Sequence, residues 1–289
     1  MSAFSADWLS LREPVDARAR SQNLVRELRG PFSSIIDLGA GTGATLRWLA
    51  PRLGPGQRWL LIDRDAALLA AAGRRIPEWA EQSGFQARQR GTELEIAASG
   101  FDCRVATRRL DLSRSLDEVV LPPGCLVTAS ALLDLVSRDW LAALTARVTA
   151  AGASVLWALS YTGNVSLDPT HAADSAIVAL VNRHQLTDKG FGPALGPAAH
   201  SAARDLLAQA GYRVAEADST WRCGPEAGEL ISALVEGWAD AAREISPADS
   251  SRIESWREQR VRTASGGGLR VAVSHSDLIA LPSVTSVSG

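Results

Sequence analysis

Along the chain, short apolar runs alternate with longer stretches in which apolar positions recur every three or four residues. That alternation of strand and helix builds an α/β domain around a mostly parallel sheet. The runs at 34–38, 59–62, 126–130 and 155–160 are apolar on both faces and read as buried strands. Pro14 is read as opening a helix over 15–29 that Gly30 and Pro31 close. A second helix covers 45–53, and a third starts near Asp65 and is kinked or restarted by Pro77. Ser99-Gly100 separates E-L-E-I-A-A from F-D-C-R-V-A-T-R-R-L, which predicts a hairpin whose second arm is the third sheet strand. Trp140, Leu141, Leu144 and Val148 form a helical stripe closed by Gly152. An excursion over 161–197 follows, with a helix near 172–184 and the loop D-K-G-F-G-P-A-L-G-P. A helix over 202–210 leads to a sixth strand at Tyr212. Leu230, Ile231, Leu234, Val235 and Trp238 share one helical face, and Ser246-Pro247 opens another helix that Gly266, Gly267 and Gly268 end. The last strand is expected over 269–281, and the residues after Pro282 as a frayed tail.

With 289 residues, 46% of them hydrophobic and spread along the whole length, the chain can bury the core of one large domain with insertions. A net charge of -2 without a basic run disfavours nucleic acid or a membrane surface as partner. The opening M-S-A-F-S-A-D-W-L-S-L-R-E-P meets charges before any apolar run, unlike a secretory leader, and no apolar stretch is long enough to span a bilayer. Cys103, Cys125 and Cys223 are odd in number and widely spaced, which suits a reducing cytoplasm better than a disulfide framework. The four histidines show no metal-ligand spacing, so no metal is expected. Alanine and arginine richness suggests a GC-rich bacterial genome. Lys189 is the only lysine, and its loop position makes it a candidate contact for an acidic substrate group or simply a solvated side chain.

The most informative stretch is I-I-D-L-G-A-G-T-G-A, a strand, a glycine turn and the start of a helix. In an α/β sheet this arrangement receives a nucleotide at the carboxyl edge of the strands. Gly39, Gly41 and Ala44 fit the G-x-G-x-x-A of a dinucleotide site, where helix N–H groups meet a pyrophosphate. Asp37 before Gly39, Ala40, Gly41, Thr42 and Gly43 argues otherwise, because a carboxylate beside the loop repels a pyrophosphate and suits a ligand carrying an ammonium and a sulfonium. S-adenosylmethionine is therefore the expected cofactor. Asp63, followed by Arg64, ends the second strand where it can accept ribose hydroxyls. Asp111 can accept the adenine amino group with Leu112 against the ring, and Ser130 and Ala131 follow the fourth strand on the other side.

With D-L-G-A-G-T-G, Asp63, L-D-L, V-T-A-S-A-L-L-D-L-V and A-G-Y-R-V in place, the chain resembles class I S-adenosylmethionine-dependent methyltransferases over roughly 31–214 plus the last strand. The resemblance implies a Rossmann-like, seven-stranded, mostly parallel sheet with the last strand antiparallel and helices on both faces. It also implies one methyltransferase domain over 1–289, with a core at about 31–160, 198–221 and 268–282. Lid-like helical insertions fall at about 161–197 and 222–267. The acceptor is expected to be a small molecule, methylated by in-line transfer; oligomeric state is left open.

Among individual residues, Arg12 can reach the methionine carboxylate with a bidentate pair or sit on the surface with Glu13 or Asp16. Asp134, after the fourth strand, is a candidate general base, substrate anchor or helix cap. Tyr161 and Asn164 follow the fifth strand and can contact the acceptor or form an ordinary turn. His171 and Asp174, three apart on a helix, can make an oriented base pair. Trp221 and Trp238 are candidate pocket walls or core, and His275 reads as packing. Two rivals stand beside the methyltransferase: an NAD(P)-dependent oxidoreductase using the same loop, and a non-catalytic S-adenosylmethionine-binding protein.

Overall fold

The computed structural model of the chain describes residues 5–28 and 30–283. Arg29, at the end of the expected first helix, and most of the expected frayed tail lie outside the described residues. The strands are β1 (Ile35–Leu38), β2 (Gln57–Asp63), β3 (Gln86–Arg90), β4 (Glu93–Ala98), β5 (Phe101–Arg109), β6 (Leu126–Ser130), β7 (Ser154–Asp168), β8 (Tyr212–Asp218), β9 (Trp221–Cys223) and β10 (Arg270–Pro282). The helices are α1 (Ala6–Ala19), α2 (Gln22–Glu27), α3 (Ala44–Leu49), α4 (Ala66–Gln82), α5 (Arg138–Ala150), α6 (Asp174–Gln185), α7 (Ala199–Gln209), α8 (Gly228–Ile245) and α9 (Ser250–Ser265).

The sheet runs β3-β4-β5-β2-β1-β6-β7-β10-β8, with β9 paired to β10. Five strands, β5-β2-β1-β6-β7, are parallel, and β10 lies antiparallel between β7 and β8. Those seven form the expected Rossmann-like α/β core. The total of ten strands exceeds the expected seven, because the hairpin β4-β5 gains a third arm and β9 adds a short rung. Strand β3, Q-A-R-Q-R, is exposed at four of its five positions, so it shows no apolar alternation to read.

Two cores fill the faces of the sheet. Ile36, Leu38, Val127 and Trp157 pack under α5 and α7, while Ile35, Leu61 and Leu126 pack under α3 and α4. A third core lies beyond the carboxyl edge. Leu159, Tyr161 and Leu167 of β7, Val271 and Val273 of β10 and Trp221 of β9 meet Val15 of α1, Ile177 of α6, Val235 of α8 and Trp256 of α9.

Three local expectations are corrected. Strand β7 does not end at Ser160; it runs on to Asp168, held by antiparallel pairing that reaches Arg270↔Asp168. The first helix starts at Ala6, because Ser5 accepts the Trp8 N–H at 3.1 Å, and Pro14 sits inside it. It stops at Arg20, extended at ψ 136, and Ser21 caps a separate α2 through the Leu24 N–H. Pro77 likewise sits within a continuous α4 and does not restart it.

Candidate functional site

Asp37 lies in the middle of the parallel sheet, in register with Leu61 on one side and Thr128 on the other, and is 1% exposed. Thr128 donates its hydroxyl to Oδ1 at 2.7 Å, while Oδ2 is buried with no partner among the described residues. Burial pushes the carboxyl up to about 7, against the Thr128 hydrogen bond and the charge of Arg20. Immediately after it the chain turns through Gly39 and Gly41 at φ +66 and +55, a region costly for any residue with a Cβ. A Cβ on Gly41 would stand 3.1 Å from Leu9 of α1, and one on Gly39 3.4 Å from Leu132. The loop is tied down from below. The Ala40 N–H reaches the Ile62 carbonyl at 2.9 Å, and Asp63 accepts the Gly41 N–H at 2.9 Å and the Asp65 N–H at 2.9 Å. Arg47 binds the Thr42 carbonyl and ion-pairs with Glu13, fastening α3 and the loop to α1.

At the neighbouring strand end, Asp111 accepts the Ser113 hydroxyl at 2.7 Å and its N–H at 3.1 Å. These bonds, with the charges of Arg64 and Arg114, hold its carboxyl below the usual range. Its second oxygen stands 3.9 Å from the Arg114 Nε. Leu112 is 4% exposed and packs into the sheet core with its carbonyl on the Trp140 indole, so its side chain is core rather than a ring wall. Arg64 is exposed, and the tip of the D-K-G-F-G-P loop reaches it: a Cβ on Gly190 would lie 3.4 Å from its guanidinium.

Arg20 was not foreseen. It is 5% exposed, donates to the Ser130 hydroxyl at 2.8 Å and to Thr45 at 3.5 Å, leaves Nε unpartnered, and its charge acts on Asp37. A-R-A-R-S-Q looked like a helical surface; the capping signal of Ser21, which breaks the helix at Arg20, was the available clue. Arg12 is placed elsewhere. Its Nε and Nη2 bind Asp16 at 2.9 and 3.2 Å, and its guanidinium lies 4.8 Å over the Trp221 ring.

That pair belongs to a cluster where the third core meets the sheet edge. Trp221 donates to Asp16 at 2.9 Å and packs 4.8 Å from the His275 ring, which lies 6.1 Å from Tyr161. His275 Nδ1 is 2.9 Å from the Val273 carbonyl, which only accepts, so Nδ1 carries the hydrogen and Nε2 is the bare nitrogen. Burial pulls the imidazole down to about 3, so it is neutral. Tyr161 donates to Asn182 Oδ1 at 2.7 Å; burial and the charge of Asp134 push its hydroxyl up. Asp134 is 7% exposed, with Oδ1 unpartnered, and burial raises it to about 6 while Arg12 holds it back.

The backbone here is strained. Ala131, just past the end of β6, and Leu159, within the adjacent β7, have φ +50 and +56, unusual for residues with side chains. Asp277, at a bulge in β10, braces the junction by accepting the Leu159 N–H and the Ser21 N–H, each at 2.8 Å.

Four other candidates do not join the cluster. The His171–Asp174 ring pair is not formed: His171 Nδ1 accepts the Ala173 N–H, and the Asp174 carboxylate is taken by Arg260, Trp256 and the His171 N–H. Asn164 is exposed on β7. Lys189 turns its ammonium to Thr187 at 2.9 Å and to the His184 ring, so it is spent on the end of α6. Trp238 is half-buried on α8 against the third core. An open groove of about 290 Å³ between Ser166, Asp168, Arg222 and Arg270 lies at the outer end of β7 and β10, away from the glycine loop. Among the described residues, no group of three His, Cys, Asp or Glu is placed to hold a metal, and no helix is long and apolar enough to cross a membrane.

No family model and no curated protein matches the chain. Solved structures do. A cyclopropane-fatty-acyl-phospholipid synthase-like protein from Lactobacillus casei matches with a TM-score of 0.54 at 13% identity, over 96% of this chain and 94% of that one. A cyclopropane synthase from Mycobacterium tuberculosis matches at 0.47 and 11%, over 96% and 94%. A phosphoethanolamine N-methyltransferase from Haemonchus contortus, solved with phosphomonomethylethanolamine and S-adenosylhomocysteine, matches at 0.44 and 12%; the chain spans 59% of its length. The Lactobacillus casei likeness and the strand order together show the fold, a Rossmann-like α/β sheet.

Proposed function

We propose that the chain is an S-adenosylmethionine-dependent methyltransferase acting on a small-molecule acceptor. The observation that carries this reading is the unpartnered, buried Asp37 Oδ2 beneath a glycine turn. A carboxylate in that place favours a cation and opposes a pyrophosphate. The other groups fit the same ligand. Asp63, with lone pairs left after its two backbone bonds, would take the ribose hydroxyls, Asp111 the adenine amino group, and Arg20 the methionine carboxylate in place of Arg12. When bound, the donor supplies a methyl group on a sulfonium, which passes to the acceptor nucleophile as the sulfur keeps the bonding electron pair.

The work left to the chain is positioning and exclusion of water. Holding two reactants in line is worth up to about 7–11 kcal/mol. Helix α1 lies over the loop through Leu9, and the 161–197 and 222–267 segments form the cap that would enclose an acceptor. Asp134 and Tyr161 line the acceptor side, with Trp221 and His275 as walls; His171, Asn164 and Lys189 are left without a role. A net charge of -2 supports a small molecule over nucleic acid, and three buried free cysteines support the reducing cytoplasm, of a bacterium by composition. The test is transfer from methyl-labelled S-adenosylmethionine into small-molecule fractions of a bacterial extract. Label in a small product supports an enzyme; no label in any fraction, with the donor bound, supports a non-catalytic binding protein.

A further inference from the structure

Resting on that reading, we propose that the loop 188–192 is a strap across the adenosine half of the donor site, with Phe191 as the apolar wall against which the adenine ring stacks.

The need for such a wall comes from the turn that follows β5. Asp111 offers the adenine amino group a carboxylate, but Leu112 is turned into the sheet core and offers the ring no face. Two successive strap residues are tied to this turn by separate routes. Gly190 lies against Arg64, since a Cβ on it would stand 3.4 Å from the guanidinium. The Arg64 carbonyl accepts the Arg109 Nε at 3.2 Å, and the Asp63 carbonyl the Leu110 N–H at 3.0 Å, which joins the ends of β2 and β5 just before Asp111. Phe191 meets Trp140 edge to face with ring centroids 5.3 Å apart, and the Trp140 indole donates to the Leu112 carbonyl at 2.7 Å.

The course of the strap crosses the same ground. From Arg64, past the end of β2, it runs to the segment after β6, where a Cβ on Gly192 would lie 3.5 Å from Ser137 and the Leu195 N–H reaches the Val136 carbonyl at 2.8 Å. In the sheet, β1 and its glycine turn stand between β2 and β6, so a chain joining their ends spans the place where Asp63 and Asp111 would hold adenosine. Its shape is preset. Asp188 accepts the Gly190 N–H at 2.6 Å and the Gly192 N–H at 3.0 Å, and the two glycines have φ +99 and +84, a region costly for any residue with a Cβ. Phe191 between them is half-buried, so part of its ring is left uncovered by Trp140 and the core. A purine stacks on such a face without asking it for a hydrogen bond. This stretch of 161–197 therefore serves the donor, and the acceptor is left to the rest of the cap.

The test has two arms, both on the whole chain. In titration calorimetry, Phe191→Ala should bind S-adenosylhomocysteine about tenfold more weakly than the parent, and Phe191→Tyr, which keeps the ring, within about threefold of it. In hydrogen exchange, the amides of 188–192 in the unaltered chain should exchange about tenfold or more slowly once S-adenosylhomocysteine saturates it, because a strap stacked on the ligand opens less often. The proposal is overturned if Phe191→Ala loses less than about threefold, if Phe191→Tyr is weakened as much as the Ala variant, or if saturation leaves exchange at 188–192 unchanged. Should the Ala variant not fold, exchange on the unaltered chain decides alone. A chain that fails to bind S-adenosylhomocysteine at all, titrated first, contradicts the methyltransferase reading instead.

Discussion

The two halves of β7 live in different surroundings. Its first eight residues are all buried between parallel β6 and antiparallel β10, whereas the last seven, beyond the sheet edge, are mostly half-buried or exposed and pair only with β10. The first half belongs to the core that carries the glycine turn after β1. The second carries a cap, where α1, α6, α8 and α9 gather on a two-strand extension. On the proposed reading, one end of the strand supports donor binding and the other shapes the acceptor side, with the strained Leu159 at the crossing.

The largest expected effect lies in the cap. Asp174 anchors Arg260, Trp256 and the His171 N–H, and Arg260 is 2% exposed. Asp174→Ala should cost about 3–5 kcal/mol in denaturant unfolding, since it strands a buried guanidinium. If cap and core are separable, the folded fraction still binds S-adenosylhomocysteine; a loss under about 1 kcal/mol would show that the cap does not depend on this anchor.

In the core the corresponding change works through pH. The Asp37 carboxyl sits at about 7 when folded against an ordinary 3.8, so the native state keeps a proton that the unfolded chain releases. Stability contributed by this group is therefore present below about pH 4 and declines as pH rises towards 7, by roughly 4 kcal/mol at most. Asp134, raised to about 6, adds to the decline in the same direction. Asp37→Asn should melt higher than the parent at pH 8, with little difference at pH 4, and bind the donor about a hundredfold more weakly. A variant melting no higher at pH 8 would mean the buried carboxyl carries no such penalty.

A smaller contrast separates Arg12 of α1 from Arg20, which follows that helix. Arg20→Ala should weaken S-adenosylhomocysteine binding about 10- to 100-fold, and Arg12→Ala less than about threefold, by titration calorimetry. The reverse order would return the carboxylate to Arg12. Smallest of all, Asn164→Ala on the exposed part of β7 should shift stability by less than about 0.5 kcal/mol and leave binding unchanged.

This division also explains what could be read in advance. The glycine turn, Asp37 and Asp63 stood out because they close runs apolar on both faces, and Asp111 because it follows the alternating second arm of the hairpin. The outer half of β7, T-G-N-V-S-L-D, carries too few apolar residues to announce a strand, since its pairing with β10 is long-range and its exposed positions face water. For the same reason Tyr161 and Asn164 looked like a turn. His275 read as packing from its alternation with Val271 and Val273, and it is buried, but only the tertiary structure sets its ring beside those of Tyr161 and Trp221. Arg20 was hidden because a single break in α1 turned it inward.

The central claim is that a buried carboxylate beneath a glycine turn selects a cationic donor over a pyrophosphate. Titration calorimetry of the purified chain with S-adenosylhomocysteine and, separately, with NAD⁺ and NADP⁺ tests it most directly. Saturable heat with the first and none with the other two is the expected result; binding of either dinucleotide with no heat from S-adenosylhomocysteine contradicts the account.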